Sequence, residues 1–343
     1  MSQPLVSIVI PTYNQRAEFL RASVKSALNQ TYPDIEVVVS DNHSTNDVPQ
    51  VLAEFSDPRL RIVHPPKHLG MVDHFVFAGD QARGEYMSFL SSDDLLYPDW
   101  LESLLPMLVA HPDVSFGFGE IENVPHDAPE HVNYLYREGK LPSGIYSVAH
   151  MLPIMMRLNR ASGWMVGELI RTSAYRQAGG IGRDNLRYSA DYSLAFRLLE
   201  LTNDVAYLNK PVAKNRSWGA QDGKVDAVRM RDAVADIADI YSLLEDSRPL
   251  KAVVEQLAPV LTQARRDKAR VLALGLLAAI AAGEISPELI AGTRADILAI
   301  GASGSTRLLL LLCRQSLSPV LRLLYRPAIT LARSPAGRKL LRL

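Results

Sequence analysis

Tyr86-Met87-Ser88-Phe89-Leu90-Ser91-Ser92-Asp93-Asp94 is the stretch that decides the reading of this chain. It is an apolar run, short enough for a buried strand, and it delivers two adjacent acids into a loop. Bare carboxylates side by side repel, and one raises its pKa to relieve the conflict. A divalent cation that also holds a diphosphate removes the conflict, because hard oxygen ligands suit Mg²⁺ or Mn²⁺. The competing reading is two solvated acids capping a helix that starts near Pro98. Spacing alone leaves both readings open.

Outward from this run, the N-terminal third alternates strand and helix. Leu5-Val6-Ser7-Ile8-Val9-Ile10 reads as a buried strand and stops at Pro11. Residues 16–29 carry Leu20, Val24, Ala27 and Leu28 at helical spacing. Ile35-Glu36-Val37-Val38-Val39 is a second strand that ends at Ser40-Asp41-Asn42. A short helix over 48–55, a strand over 61–63, a helix over 71–82 and a strand over 86–91 complete the series. This order predicts an α/β fold, a mostly parallel sheet flanked by helices. Such sheets bind ligands beyond the carboxyl ends of their strands. Pro11-Thr12-Tyr13-Asn14, Asp41-Asn42 and Asp93-Asp94 all fall at such ends, which implies one ligand spanning three polar clusters.

Several segments follow one another in a familiar order. They are Val9-Ile10-Pro11-Thr12-Tyr13-Asn14, Ser26-Ala27-Leu28-Asn29-Gln30-Thr31-Tyr32-Pro33 and Val39-Ser40-Asp41-Asn42-His43-Ser44-Thr45. Leu69-Gly70, Ala82-Arg83-Gly84-Glu85-Tyr86 and Ser92-Asp93-Asp94 with Pro98-Asp99-Trp100 come next. Over residues 4–220 the chain resembles family 2 of the nucleotide-sugar glycosyltransferases, inverting enzymes with the GT-A (Rossmann-like) fold. The resemblance implies that Pro11, Thr12 and Tyr13 lie against the nucleotide base and ribose. It implies that Asp41 and Asn42 hydrogen-bond the base, with Asn in place of a second acid. Asp93 then touches the ribose side of the donor, and Asp94 ligates the Mg²⁺ or Mn²⁺ that bridges the diphosphate. Ser92 stands where many relatives carry a further Asp.

Ser189-Ala190-Asp191-Tyr192-Ser193-Leu194-Ala195-Phe196-Arg197-Leu198 resembles the family's acidic motif at the head of a helix. Asp191 then matches the base that deprotonates the acceptor hydroxyl, although Ala190 replaces the usual Glu. Read without the resemblance, Asp191 is a first-turn acid favoured by the helix dipole. Glu168 is the next carboxylate in line. Residues 163–171 read as a strand after a loop, in which Trp164 either stacks on an acceptor sugar or fills a core. Gly179-Gly180 closes the helix that follows. Arg216 faces the phosphates if the resemblance holds and is a surface Arg otherwise. Trp218 sits where relatives often place a histidine, so no histidine ligand is assigned.

The 343 residues are 48% hydrophobic, enough for one large core and a smaller unit. A lone cysteine, Cys313, excludes an internal disulfide framework and fits a reducing compartment. No basic segment precedes Leu5, and Pro11 breaks the apolar run, so no signal peptide is expected. A catalytic domain is expected over 1–222 and a helical region over 223–343, with helices at 226–244, 249–261, 263–282, 287–300 and from 306 onward. Residues 301–343 hold eight Lys or Arg and no Asp or Glu, so a net charge of zero conceals a −8 body and a +8 tail. Basic and leucine-rich, the tail over 302–343 reads as helices on an anionic membrane surface. The alternatives are packing on the acidic body or on a second copy in a homodimer. Nucleic acid is not expected, since Tyr325 is the tail's single aromatic.

The expected protein is thus cytoplasmic, peripheral on the inner face of the plasma membrane. It is expected to be a hexosyltransferase-type enzyme that moves a sugar from a UDP-sugar, or a dTDP- or GDP-sugar, to a glycan or lipid-linked acceptor in surface-polysaccharide assembly. The substitutions at Ser92, Asn42, Ala190 and Trp218 leave a second reading, a non-catalytic GT-A-fold protein that binds glycan or scaffolds an assembly complex. A nucleotidyltransferase would need a glycine-rich basic loop after the first strand, and Pro11-Thr12-Tyr13-Asn14 is not one.

Overall fold

β1 (Val6–Thr12) is buried at every position, as a strand covered on both faces must be. In this computed structural model, residues 3–125, 133–134, 141–157, 165–184, 186, 189–217, 227–282, 285–314 and 317 are described. Trp164, Trp218 and most of the basic tail lie outside the described residues.

After β1 come α1 (Ala17–Leu28), β2 (Ile35–Asp41), α2 (Val48–Ala53), β3 (Leu60–Val63), α3 (Met71–Asp80) and β4 (Tyr86–Phe89). β1 pairs in parallel with β2 and with β4, and β3 adds in parallel outside β2. Their carboxyl ends therefore share one edge of the sheet. Gly84 fixes the approach of β4. A Cβ there would lie 2.6 Å from the Leu5 carbonyl and 2.7 Å from the Ser7 amide. The Ser7 hydroxyl accepts the amides of Gly84 at 2.8 Å and Arg83 at 3.1 Å and donates to Glu36 at 2.6 Å. That lock sets the register that carries Asp93 and Asp94 past the ends of β1 and β2.

The chain continues through β5 (Leu95–Leu96), α4 (Trp100–Ala110), β6 (Phe116–Pro125), β7 (Asn133–Tyr134), β8 (Gly144–Ser147) and α5 (Val148–Arg157). It then runs through β9 (Leu169–Arg171), α6 (Thr172–Ala178), α7 (Ala190–Leu199) and β10 (Asp204–Ser217). The strands form one sheet in the order β3-β2-β1-β4-β9-β6-β10-β5, with β7 on β6 and β8 on β10. β9 runs antiparallel to both β4 and β6, while β10 is parallel to β6. The parallel half is the one read from the sequence. The other half is mixed, because three residues of β9 enter the sheet reversed. Trp100 is fully buried, and its indole N–H donates to the Gly167 carbonyl at 3.1 Å, tying α4 to the loop before β9.

Among the described residues, four helices follow: α8 (Ala227–Asp246), α9 (Lys251–Ala282), α10 (Pro287–Gly301) and α11 (Gly304–Leu312). The expected break near residue 262 does not occur, and α9 passes straight through Pro259. A proline inside a helix costs about 3 kcal/mol. Burial of Leu261, Ala264, Ala269, Ala273 and Leu276 along the same helix outweighs that cost. The chain divides into one unit of Met1–Gly219 with Asp246–Gln256 and another of Ala220–Glu245 with Leu257–Leu343. In α11, Leu310 is buried, whereas Leu308, Leu311 and Leu312 are exposed. Among the described residues, no helix is long and apolar enough to cross a membrane.

Candidate active site

The loops beyond β1 and β2 are tied to each other. Asn14 and His43 take left-handed backbone conformations, φ 48° and 61°, a region that asparagine and histidine tolerate better than most residues. The Asn14 amide donates to the Ser44 hydroxyl at 2.9 Å, and the Thr45 amide donates to Asn14 Oδ1 at 2.8 Å. Asp41 is buried, and its Oδ1 accepts the Ser44 amide at 3.0 Å. Tyr13 is 49% exposed, with its ring 4.6 Å from that of His68. Such a ring is free to stack on a nucleobase. Thr12, its neighbour, is buried.

Asn42 does something the sequence did not signal. Its amide donates to the Leu69 carbonyl at 2.8 Å and accepts the Leu69 amide at 2.9 Å, which pins the 64–70 loop. That loop brings His64, whose Nδ1 is 3.1 Å from the Asp41 carbonyl, and His68, whose Nδ1 is 3.0 Å from the Asn42 carbonyl. These histidines were missed because isolated loop residues carry no periodicity.

His74 lies just behind, buried in α3, with Nε2 2.9 Å from the Ser40 hydroxyl. Burial pushes its imidazole down to about 4. The folded pKa thus lies below the unfolded value of about 6.5. Stability is flat above that value and falls as pH drops from 6.5 toward 4, because the unfolded chain takes the proton first. Denaturation midpoints at pH 7 and pH 4.5 should differ by about 2–3 kcal/mol more in the native chain than in His74→Gln. An equal pH response in both would overturn this assignment.

The acid turn is held from three sides. The Asp94 amide donates to the Ser91 carbonyl at 3.0 Å, and the Ser23 hydroxyl donates to the same carbonyl at 3.1 Å. Gln15 donates to the Ser92 hydroxyl at 3.1 Å. From β10, the Arg216 amide donates to Asp94 Oδ1 at 2.8 Å, and Arg216 Nε donates to the Asp93 carbonyl. The guanidinium stacks 4.6 Å from the centre of the Phe19 ring. Arg216 thus clamps the turn itself. Burial, and then the neighbouring Asp93, push the Asp94 carboxyl up to about 8.

Among the described residues, no group of three or more His, Cys, Asp or Glu side chains comes together as a metal site. Two carboxylates with the remaining positions left to substrate phosphates is how Mg²⁺ is ordinarily bound. Asp93 and Asp94 offer hard carboxylate oxygens of the kind such an ion takes.

On the other side, Asp191 occupies the first turn of α7 behind the N-cap Ser189. Glu168 is 3% exposed, and its carboxyl is pushed far up by burial and then by Asp191. Gly167 leads into it with φ 75°, where a Cβ would come within 2.6 Å of Val212. Ser91, next to the acid turn, and Asp191 line one cavity of about 220 Å³. A larger depression of about 740 Å³, lined by Asp113, Ser147, Arg171, Thr202 and Leu250 among others, contains none of these acids.

Residues 7–162 match the family model described as glycosyl transferase family 2. That region, a little under half of the chain, is similar to glycosyl transferase family 2. A Rickettsia typhi protein described as an uncharacterized glycosyltransferase is 29% identical over 227 residues, covering 64% of this chain and 65% of that one. The Escherichia coli UDP-Glc:alpha-D-GlcNAc-diphosphoundecaprenol beta-1,3-glucosyltransferase WfgD is 30% identical over 141 residues, 39% of this chain and 55% of its own length. The chain therefore spans less than two thirds of the length of these relatives. The mannosyltransferase PcManGT of Pyrobaculum calidifontis, solved with GDP-Man and Mn²⁺, shares the GT-A fold at TM-score 0.52 and 17% identity, over 93% of this chain and 85% of that one. The matched region contains the three strand-end loops and the acid turn. Arg216 and Asp191 lie beyond the matched residues.

Proposed function

We propose that this protein is an inverting family 2 glycosyltransferase. It would move one sugar from a nucleoside diphosphate donor to a hydroxyl of a glycan or lipid-linked acceptor in cell-surface polysaccharide assembly. The observation that carries the reading is the single cavity bounded by Ser91 beside the acid turn and by Asp191. In this reading Tyr13 stacks on the base, with Pro11 and Thr12 beside it, and Asp41 accepts a hydrogen bond from it. Asn42 acts through the Leu69 loop. Asp93 and Asp94 hold the cation and the ribose side of the diphosphate, with Arg216 fixing their turn. A bound Mg²⁺ or Mn²⁺ supplies charge stabilisation for the departing diphosphate.

Asp191 takes the proton of the acceptor hydroxyl as that oxygen attacks the anomeric carbon from the face opposite the leaving group. One base suffices for a single displacement. Donor hydrolysis across UDP-, dTDP- and GDP-sugars, with and without Mn²⁺, tests the reading. Metal-dependent turnover of one nucleotide class supports it. Absence of binding and turnover across the panel overturns it and favours a scaffold.

Two similar proteins support a nucleotide-sugar donor, since one is a UDP-Glc-dependent glucosyltransferase and the other was solved with GDP-Man. The exposed leucines of α11 and the eight basic residues after 300 support attachment to an anionic membrane from the cytoplasmic side. Each Lys or Arg near such a surface contributes about 1 kcal/mol and is screened by salt. The full chain should co-sediment with anionic vesicles at low salt and be released at high salt. Equal binding to neutral vesicles, or none to anionic ones, would point instead to burial of the tail in a dimer or on the protein body.

A further inference from the structure

Among the described residues, the polar lining of the cavity is Ser91, Ser189 and Asp191, and the rest is Met71, Val72, Phe75, Met165, Val166, Ile181 and Ala190. The α3 wall is unusual. His74 is buried against β2, while Val72 and Phe75 stay only half-buried and Met71 is exposed. Apolar side chains left partly open on a packed helix are apolar surface that a ligand would cover.

The walls are pre-formed. A Cβ on Gly182 would meet Val76 of α3 at 2.4 Å, so the loop carrying Ile181 sits against α3 as closely as a backbone can. Phe75 packs on Phe89 of β4 at 5.7 Å. About 220 Å³ is below the ~300–1,000 Å³ usual for drug-sized ligands, so the space suits a single sugar ring rather than a lipid-linked chain.

We propose that this cavity holds the transferred sugar and selects a 6-deoxyhexose, with the C6 methyl group against Val72, Phe75 and Ile181. The proposal rests on the transferase reading, because it places the anomeric carbon between the acid turn and Asp191. A hexose with a 6-hydroxyl would carry that group against Val72, Phe75 and Ile181, whose side chains offer it no partner, and a buried hydroxyl without a hydrogen bond is disfavoured. A methyl group there is buried favourably instead. The ring hydroxyls would turn toward Ser91, Ser189 and Asp191.

An apolar pocket discriminates against an added hydroxyl by up to about 10²-fold. The test uses the full chain with Mn²⁺ and matched donor pairs that differ only at C6: the glucose and 6-deoxyglucose pair on UDP and on dTDP, and the mannose and 6-deoxymannose pair on GDP. On the nucleotide the enzyme accepts, hydrolysis kcat/KM should favour the 6-deoxy member by roughly 10- to 100-fold. Val72→Thr places a hydroxyl in the α3 wall at nearly constant volume, on a half-buried helix position that tolerates it. It should narrow the preference to a few-fold. Equal use of both members, preference for the 6-hydroxyl sugar, or an unchanged ratio in Val72→Thr overturns the pocket assignment while leaving the transferase reading intact. If no donor in any pair binds or turns over, the transferase reading itself falls, and the pocket assignment falls with it.

Discussion

Asp191→Asn lowers transfer by about 10²–10⁴-fold while donor affinity stays within a few-fold of native, because removing a general base costs a rate of that size. The substitution keeps size and hydrogen-bonding capacity and removes only the basic lone pair. Asp191 and Glu168 interact, and they are unequal as bases. Burial, and then the nearby Asp191, push the Glu168 carboxyl well above the usual carboxylate range, which favours its neutral form over its charged one. Glu168→Gln, isosteric with that neutral form, is therefore expected to lower the rate much less than Asp191→Asn. Single-turnover transfer rates and donor titrations on both variants separate the two acids. If Asp191→Asn retains activity within a few-fold while Glu168→Gln loses it, the roles are exchanged.

The parallel half of the fold was legible because its signals are local. Predominantly apolar runs at 5–10, 35–39 and 86–91 end in polar clusters, and those runs became β1, β2 and β4 with boundaries within two residues. β6 and β10 gave no such signal. Phe116-Gly117-Phe118-Gly119-Glu120-Ile121-Glu122-Asn123 interleaves glycines and acids with apolar residues, and its pairing with β10 is set by partners some 90 residues away. β9 is only three residues long, and its antiparallel insertion is a tertiary choice that no local pattern encodes.

The site follows the same division. Asp93, Asp94 and Asp191 announced themselves as acids at element ends. Asn42's engagement with Leu69, the Arg216 clamp on the acid turn and the apolar cavity wall of α3 did not. Val72 and Phe75 look like ordinary helix periodicity in one dimension. Only the buried polar residue between them, His74, shows that this face of α3 is turned the other way.

Asp94→Ala is expected to abolish the part of donor binding that depends on a divalent ion, with little loss of fold. Two opposing effects set the stability. Asp94 Oδ1 accepts the Arg216 amide, and leaving that N–H unpaired costs about 1–3 kcal/mol. Against this, Ala removes a buried carboxyl that both desolvation and Asp93 penalise in its charged form. Asp94→Asn separates the two effects. Its side-chain oxygen still accepts the Arg216 amide, so stability should match or exceed native, yet a neutral amide oxygen is a far weaker partner for Mg²⁺ or Mn²⁺. Loss of Mn²⁺-dependent binding in both variants, with the Asn variant fully stable, would tie the effect to charge rather than to the turn. Asp93→Ala should weaken donor binding with a smaller change in its metal dependence. Calorimetric titration of donor with Mn²⁺ and with excess chelator reads all three. Native activity that persists in full under chelation would remove the cation from both acids.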